Sequence, residues 1–191
     1  WPLLAGLLFA SIKSNGQLYV LDFGGSLGST YFQNKYYLDE LNDVDWSVVE
    51  QAEFVKIGRE FIKTDVLNFY YSAEECITEK GLPGFLLFST SLPYLEKPYE
   101  LLTRMLELRI PFLFIDNTIF NYELRDRITI QHVPKSIYEA SYPCWFLNYD
   151  KVSELISQYY HIISEHFNEH IIQLDGKPIR FRGIFGKLKN S

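Results

Sequence analysis

Apolar and polar positions along this chain switch repeatedly between a strand-like and a helix-like period, and the switches mark its elements. Leu3 to Lys13 reads as helical and Gln17 to Phe23 as a strand. Ser29 to Leu41 has helical content, with aromatic residues at Tyr31, Phe32, Tyr36 and Tyr37. Asp45 to Glu50 is a second strand that ends in an acid, and Gln51 to Ile62 is a helix weakened by Gly58. Val66 to Tyr71, rich in aromatic and β-branched residues, is a third strand. Ser72 to Glu75 fits a helix start, with Ser72 as N-cap and Glu75 at the capping-box position. Gly84 to Ser91 is nearly all apolar, as a buried parallel strand requires. Pro98 suits a helix first turn, and Leu101, Leu102, Met105, Leu106 and Leu108 give that helix a broad apolar face. Ile110 to Asp116 is the fifth strand, again ending in an acid.

The last third breaks the rhythm. Asn117 to Asn148 holds one strand, Ile128 to Val133, and a long irregular aromatic passage. Asp150 then caps an amphipathic helix in which Val152, Leu155, Ile156, Tyr159, Ile163 and Phe167 recur at helical spacing. Ile171 to Leu174 and Ile179 to Leu188 flank Asp175-Gly176, a strong hairpin signal. Five β–α units, a helix and a hairpin predict an α/β fold. It is Rossmann-like, with a mainly parallel seven-stranded sheet, helices on both faces and an antiparallel terminal hairpin. That hairpin separates it from a simple dinucleotide fold. With 191 residues, one domain over 1–191 is expected, carrying an insertion at about 117–148.

Composition narrows the function classes. A net charge of −6 argues against nucleic-acid binding, which needs clustered Lys and Arg. The basic residues from Lys177 to Lys189 interleave with strand positions, as on a guarded edge. Cys76 and Cys144 have no metal-type spacing and suggest a reducing, cytoplasmic setting without a disulfide framework. The longest apolar stretch, Leu3 to Ile12, is about half of what a bilayer requires, so no membrane span is expected. It also lacks the basic region and cleavage motif of a secretory signal. The aromatic share of 17% fits either core filling or a pocket for a flat or sugar-like ligand.

The most informative segment runs from Gln17 to Thr30. An apolar strand reaches Asp22, three glycines follow at 24, 25 and 28, and a helix opens. A strand ending in a glycine-rich turn before a helix is the first half of a nucleotide- or cofactor-binding crossover. Together with the hairpin, this turn resembles the class I S-adenosylmethionine-dependent methyltransferases. More narrowly, the chain resembles methyltransferases encoded with bacterial surface-polysaccharide genes. Leu21-Asp-Phe-Gly-Gly-Ser-Leu-Gly-Ser29 carries most of that likeness. Val48-Val-Glu-Gln51, Phe88-Ser-Thr-Ser-Leu-Pro-Tyr94 and Ser136-Ile-Tyr-Glu-Ala-Ser-Tyr-Pro143 add to it.

The resemblance implies S-adenosyl-L-methionine as cofactor and assigns residues to it. The motif of an acid and three alternate glycines falls on Asp22, Gly24, Ser26 and Gly28, so Ser26 replaces the middle glycine and Gly25 lies beside it. Ser26 could pass under the methionine moiety. Glu50, ending the second strand, would accept from both ribose hydroxyls, and its other reading is an exposed strand-end acid. Gln51, Phe54, Tyr71 and Ser72 are placed to frame adenine, although Ser72 also reads as a plain helix cap. Ser89, Thr90 and Ser91 put three small hydroxyls at the carboxyl end of a strand, where open α/β sheets bind ligands.

Methyl transfer to oxygen needs a positioned acceptor and often a proton acceptor. The candidates are His132, Asp116 and Tyr142. His132 is preferred because imidazole titrates near neutrality, while a structural role is its alternative. His161, His166 and His170 are expected on or after the amphipathic helix. The four-residue spacing of His166 and His170 could hold metal, but without a third ligand a solvated face is expected and no metal is assigned. Within the insertion, Phe120, Tyr122, Tyr138, Tyr142, Trp145 and Phe146 could stack on a sugar, and Arg125 and Arg127 could hold a phosphate or carboxylate. A packed cap with surface charges accounts for the same residues. The sequence therefore points to methyl transfer to a small-molecule or glycan acceptor, with a sugar in surface-polysaccharide biosynthesis as the expected one. Its rivals are an NAD-dependent oxidoreductase, against which Ser26 and the hairpin speak, and a non-catalytic cofactor-binding protein.

Overall fold

The structure is a computed structural model and describes residues 1–133, 135–136 and 139–189. In chain order the elements are α1 (Pro2–Lys13), β1 (Gln17–Phe23), α2 (Ser29–Leu38), β2 (Asp43–Val49), α3 (Ala52–Ile57) and β3 (Leu67–Tyr70). A π-helical turn, Gly58–Ile62, extends α3. Then come α4 (Ala73–Lys80), β4 (Phe85–Ser89), α5 (Pro98–Glu107), β5 (Phe112–Asn121), β6 (Arg127–Val133) and β7 (Ala140–Asn148). The chain closes with α6 (Tyr149–Tyr159), β8 (Tyr160–Leu174) and β9 (Lys177–Leu188).

Strands β1 to β5 pair in parallel in the order β3-β2-β1-β4-β5, β9 adds antiparallel to β5, and β8 lies antiparallel outside β9. These are the seven strands of the expected sheet. The antiparallel pair β6–β7 forms a further ribbon, joined to β5 only at Phe120 and Asn121.

Alternation along each central strand divides the core into two layers, because successive side chains leave opposite faces of a sheet. Leu18, Val20, Phe85, Leu87, Phe112 and Phe114 point into one layer, which α1, α2 and α3 cover with Leu7, Tyr31, Leu38 and Val55. Leu21, Leu86, Phe88, Leu113 and Ile115 point into the other, covered by Cys76 of α4, Leu102 and Leu106 of α5, and Val152 and Ile156 of α6. Being buried on both sides, β4 has no room for polar side chains until Ser89. Cys76 and Cys144 are buried and unpaired. Among the described residues, no helix is long and apolar enough to cross a membrane.

Three expectations need correction. The helix begun at Tyr149 ends at Tyr159, so Ile163 and Phe167 belong to β8 and not to a helix face. Its N-cap is Asn148, whose side chain accepts from the Lys151 N–H at 2.8 Å, and Asp150 lies inside the first turn. The supposedly irregular passage is β7, paired with β6 from Ala140 to Phe146. Pro143 is tolerated there because β7 meets β5 only at its far end, leaving one edge free of ladder bonds at the proline.

Candidate active site

The carboxyl ends of β1, β2 and β4 meet at the glycine turn. The Gly24 N–H donates to the Val49 carbonyl at 2.9 Å, tying β1 to β2. Gly24 has φ +74°, and a Cβ on it would lie 2.6 Å from Ser91 Cβ, so only glycine fits. A Cβ on Gly25 would lie 2.5 Å from Asp22 Oδ2, because the turn folds back over that carboxylate. Gly28 is the N-cap of α2. Asp22 is fully buried; its Oδ2 accepts from Trp46 Nε1 at 3.1 Å. Burial pushes its carboxyl up to about 7, against the opposing pull of the Trp46 hydrogen bond, and the charge of Glu50 adds to the rise. Asp22 Oδ1 and Ser91 Oγ are both buried without a hydrogen-bond partner among the described residues. Ser91 borders a ligand-sized hollow, and an unpaired polar atom there fits a group that brings its own donors and acceptors.

That hollow has a volume of about 470 Å³, within the usual range for small-molecule sites. Glu50 and Gln51 form one side, Tyr71 and Ser72 another, and Phe23, Leu101 and Met105 supply apolar wall. Glu50 Oε2 accepts from the Gln51 N–H at 2.6 Å. Ser72 caps α4 by accepting from the Glu75 N–H at 3.1 Å, while Glu75 accepts from the Tyr71 N–H at 2.7 Å. The Arg59 guanidinium lies 4.7 Å from the centre of the Tyr71 ring and pairs with Glu75 at 2.7 Å, which fixes the ring at the rim. The same arginine holds the Glu75 carboxyl below its ordinary range.

A second cavity, of about 610 Å³, shares Gly24 and Thr90 with the first and continues beyond them. Its walls come from two interruptions in strand pairing. In β5, the register with β9 shifts between Ile115 and Thr118, so Asp116 and Asn117 are turned out of the ladder. In β8, the register shifts between Phe167 and Ile171, and Asn168, Glu169 and His170 bulge toward the same space. Asn168 Nδ2 donates to Asn117 Oδ1 at 3.0 Å, and Asn117 Nδ2 donates to Thr90 Oγ1 at 3.0 Å, linking both bulges to β4. Of six non-glycine residues with positive φ among those described, Ser26 (53°), Thr90 (59°) and Asn117 (46°) all border this cavity. Left-handed backbone is costly for such residues, above all for β-branched Thr90, and this strain gathers where binding sites are built.

Asp116 faces His166, with Oδ1 3.2 Å from Nε2. An ionised carboxylate only accepts, so Nε2 donates in this pair. The imidazole packs 5.8 Å from the Phe114 ring and over Gly183, where a Cβ would lie 2.0 Å from His166 Cε1.

Among the residues expected for the cofactor, Gly24, Glu50, Gln51, Tyr71 and Ser72 border the first cavity; Gly24, Gly25, Ser26 and Ser89 border the second. Phe54 is on α3, 38% exposed and outside both walls. Asp116 borders the second cavity, but His132 is exposed on β6 opposite Ser141 and borders neither. Tyr142 stands behind the first cavity, its ring 5.4 Å from that of Tyr94, a wall residue. Trp145 Nε1 similarly donates to the Leu95 carbonyl at 3.1 Å, so the ribbon braces this wall from outside. Phe120, Tyr122, Trp145 and Phe146 border neither cavity, and Tyr138 lies outside the described residues. Arg127 is paired with Asp175 at 2.5 Å, and neither it nor Arg125 reaches a cavity. The sequence reading missed Asn117, Asn168 and Glu169 as wall residues and His166 as the partner of Asp116.

No protein-family model and no curated protein matches the chain. Solved structures do. An S-adenosylmethionine-dependent methyltransferase from Methanosarcina mazei superposes with a TM-score of 0.64 at 13% identity, over 93% of this chain and 96% of that one. The fold is that of the class I methyltransferases. The N-terminal domain of EvdMO1, crystallised in the presence of S-adenosylhomocysteine and D-fucose, gives a TM-score of 0.58 at 11% identity, covering 96% and 83%. The 1,6-didemethyltoxoflavin-N1-methyltransferase of Burkholderia thailandensis, with S-adenosylhomocysteine bound, gives 0.56 at 12% identity, covering 97% and 77%. At these identities the likeness speaks for the architecture alone.

Proposed function

We propose that this chain is an S-adenosylmethionine-dependent methyltransferase acting on a sugar or sugar-linked hydroxyl. The observation that carries the reading is a pair of adjoining cavities. Glu50 and Gly24 line the first, and the second, which shares Gly24 and Thr90 with it, is polar and holds Asp116 on its wall. In this reading Glu50 accepts from the ribose hydroxyls, and Gln51, Tyr71 and Ser72 frame the adenine. Gly24, Gly25 and Ser26 carry the methionine moiety across the shared boundary, with Asp22 and Gly28 shaping the turn. Ser89 flanks the reacting centre. When bound, the cofactor supplies an electrophilic methyl group on a sulfonium and leaves as S-adenosylhomocysteine. Asp116 would take the proton of the acceptor hydroxyl, and His166 would hold that carboxylate in place. Tyr142 supports the cofactor chamber from behind through Tyr94, and Phe54 and His132 have no part in the chemistry.

The polysaccharide setting rests on the sequence resemblance and on the polar walls of the second chamber. A cytoplasmic location and a single domain over 1–191, with 117–148 bracing the substrate side, complete the reading. Calorimetry with S-adenosylhomocysteine and NADH tests it. S-adenosylhomocysteine should bind and NADH should not. Glu50→Ala should weaken S-adenosylhomocysteine binding at least about tenfold, the loss of a charge-assisted hydrogen-bond pair. Preference for NADH, or unchanged affinity in Glu50→Ala, refutes the assignment.

A further inference from the structure

We propose that the second chamber selects an acceptor without negative charge, a neutral or amino sugar, and rejects phosphorylated or carboxylated ones. The inference rests on the methyltransferase reading and specifies its acceptor. Hydroxyl and amide groups cover most of the wall: Ser29, Thr30, Gln33, Thr90, Asn117 and Asn168. They match an acceptor that presents many hydroxyls and no large flat apolar face; among the described residues no Phe, Tyr or Trp borders this chamber, and its one ring is the His170 imidazole. The wall's only carboxylates are Asp116 and Glu169, and no lysine or arginine among the described residues accompanies them.

Neither arginine that sequence alone offers as an anion clamp reaches this chamber: Arg125 and Arg127 border neither cavity, and Arg127 is engaged elsewhere. Arg127 is held by Asp175 at 2.5 Å, and Arg182 by Glu165 at 2.7 Å and by Tyr122 Oη at 2.8 Å. An anionic acceptor would enter a space bordered by two carboxylates with no lysine or arginine to offset them, and such juxtaposition is a strong device for excluding a wrong ligand. A neutral sugar meets no such penalty, and an ammonium group would be attracted.

The test is saturation-transfer NMR on the full chain loaded with S-adenosylhomocysteine, at pH 8, above the ordinary range of an imidazole. S-adenosylhomocysteine lacks the sulfonium, so the chain's own carboxylates set the selectivity. The probes are D-glucose, D-glucosamine, D-glucuronate and D-glucose 6-phosphate, which share one ring and differ in charge. The first two should bind at least about tenfold more tightly than the last two. Glu169→Lys, on the exposed part of β8, should narrow that gap at least about threefold, and Asp116→Asn serves the same comparison if that variant fails to fold. Equal or tighter binding of the anionic sugars overturns the proposal. So does absence of binding by both non-anionic probes to protein that holds S-adenosylhomocysteine. Failure to hold S-adenosylhomocysteine at all refutes the cofactor reading instead, and calorimetry without sugar separates the two failures.

Discussion

Asp22→Asn should make the protein more stable at neutral and alkaline pH, and the gain should grow with pH. Asp22 is fully buried, and one of its oxygens has no hydrogen-bond partner among the described residues. Burial moves its carboxyl from an ordinary 3.8 up to about 7, so the folded chain holds this proton where the unfolded chain has released it. Stability therefore falls as pH rises from about 4 to 7 and levels off above that. With 1.36 kcal/mol per pH unit, the full cost is about 4 kcal/mol. About 2.5 kcal/mol of it falls between pH 5 and pH 8. Asparagine is nearly isosteric, can still accept from Trp46 Nε1 and cannot ionise. Urea unfolding of both proteins at pH 5, 6, 7 and 8 measures the difference. The stability of Asp22→Asn relative to wild type should rise by about 2.5 kcal/mol across the series. Two curves that stay parallel would mean that Asp22 ionises without a burial cost, and the account of the turn would be wrong.

Three further outcomes follow from the geometry. Asp116→Asn should slow S-adenosylhomocysteine release with neutral sugar acceptors at least about 100-fold, while calorimetric affinity for S-adenosylhomocysteine stays within about twofold. A loss of affinity as large as the loss of turnover would refute a role confined to the acceptor. Gly183→Ala should push the His166 ring off Asp116, because the new methyl would lie 2.0 Å from Cε1. It should cost about 1–3 kcal/mol in urea unfolding and shift the His166 imidazole resonances. Tyr160→Phe should cost about 1–3 kcal/mol, since the buried Tyr160 hydroxyl donates to the Ile110 carbonyl at 2.7 Å and the carbonyl loses that partner.

The parallel half of the fold was legible because each of its strands is short, apolar and followed at once by a helix signal. The region from Tyr149 to Leu174 misled because a spacing of four fits two periods. Tyr159, Ile163 and Phe167 stay on one face of a helix, at slightly more than one turn apart. They also stay on one face of a strand, since four is even. The chain follows the strand because β9 pairs with it from Tyr160 to Leu174, a tertiary contact that no local window contains. Pro143 hid β7 for a similar reason. A proline argues against a central strand, and only the pairing partners establish that this one is on an edge.

The two chambers differ in the same way, and the difference explains which residues could be found. The cofactor chamber is built from turns that directly follow β1, β2, β3 and β4, so its residues announce themselves as glycines, acids or caps at strand ends. The acceptor chamber depends on interruptions of a ladder. Asp116 meets His166 and Asn117 meets Asn168 across about fifty positions of sequence, and both contacts exist only because β5 and β8 slip against β9. A slip of register has no hydrophobic signature, since it changes partners and leaves composition alone. Strand β8 pairs only with β9, so its bulge can vary without disturbing the turns that form the cofactor chamber. In the proposed reading, substitutions at 168–170, which border only the second cavity, should change acceptor choice while sparing cofactor binding.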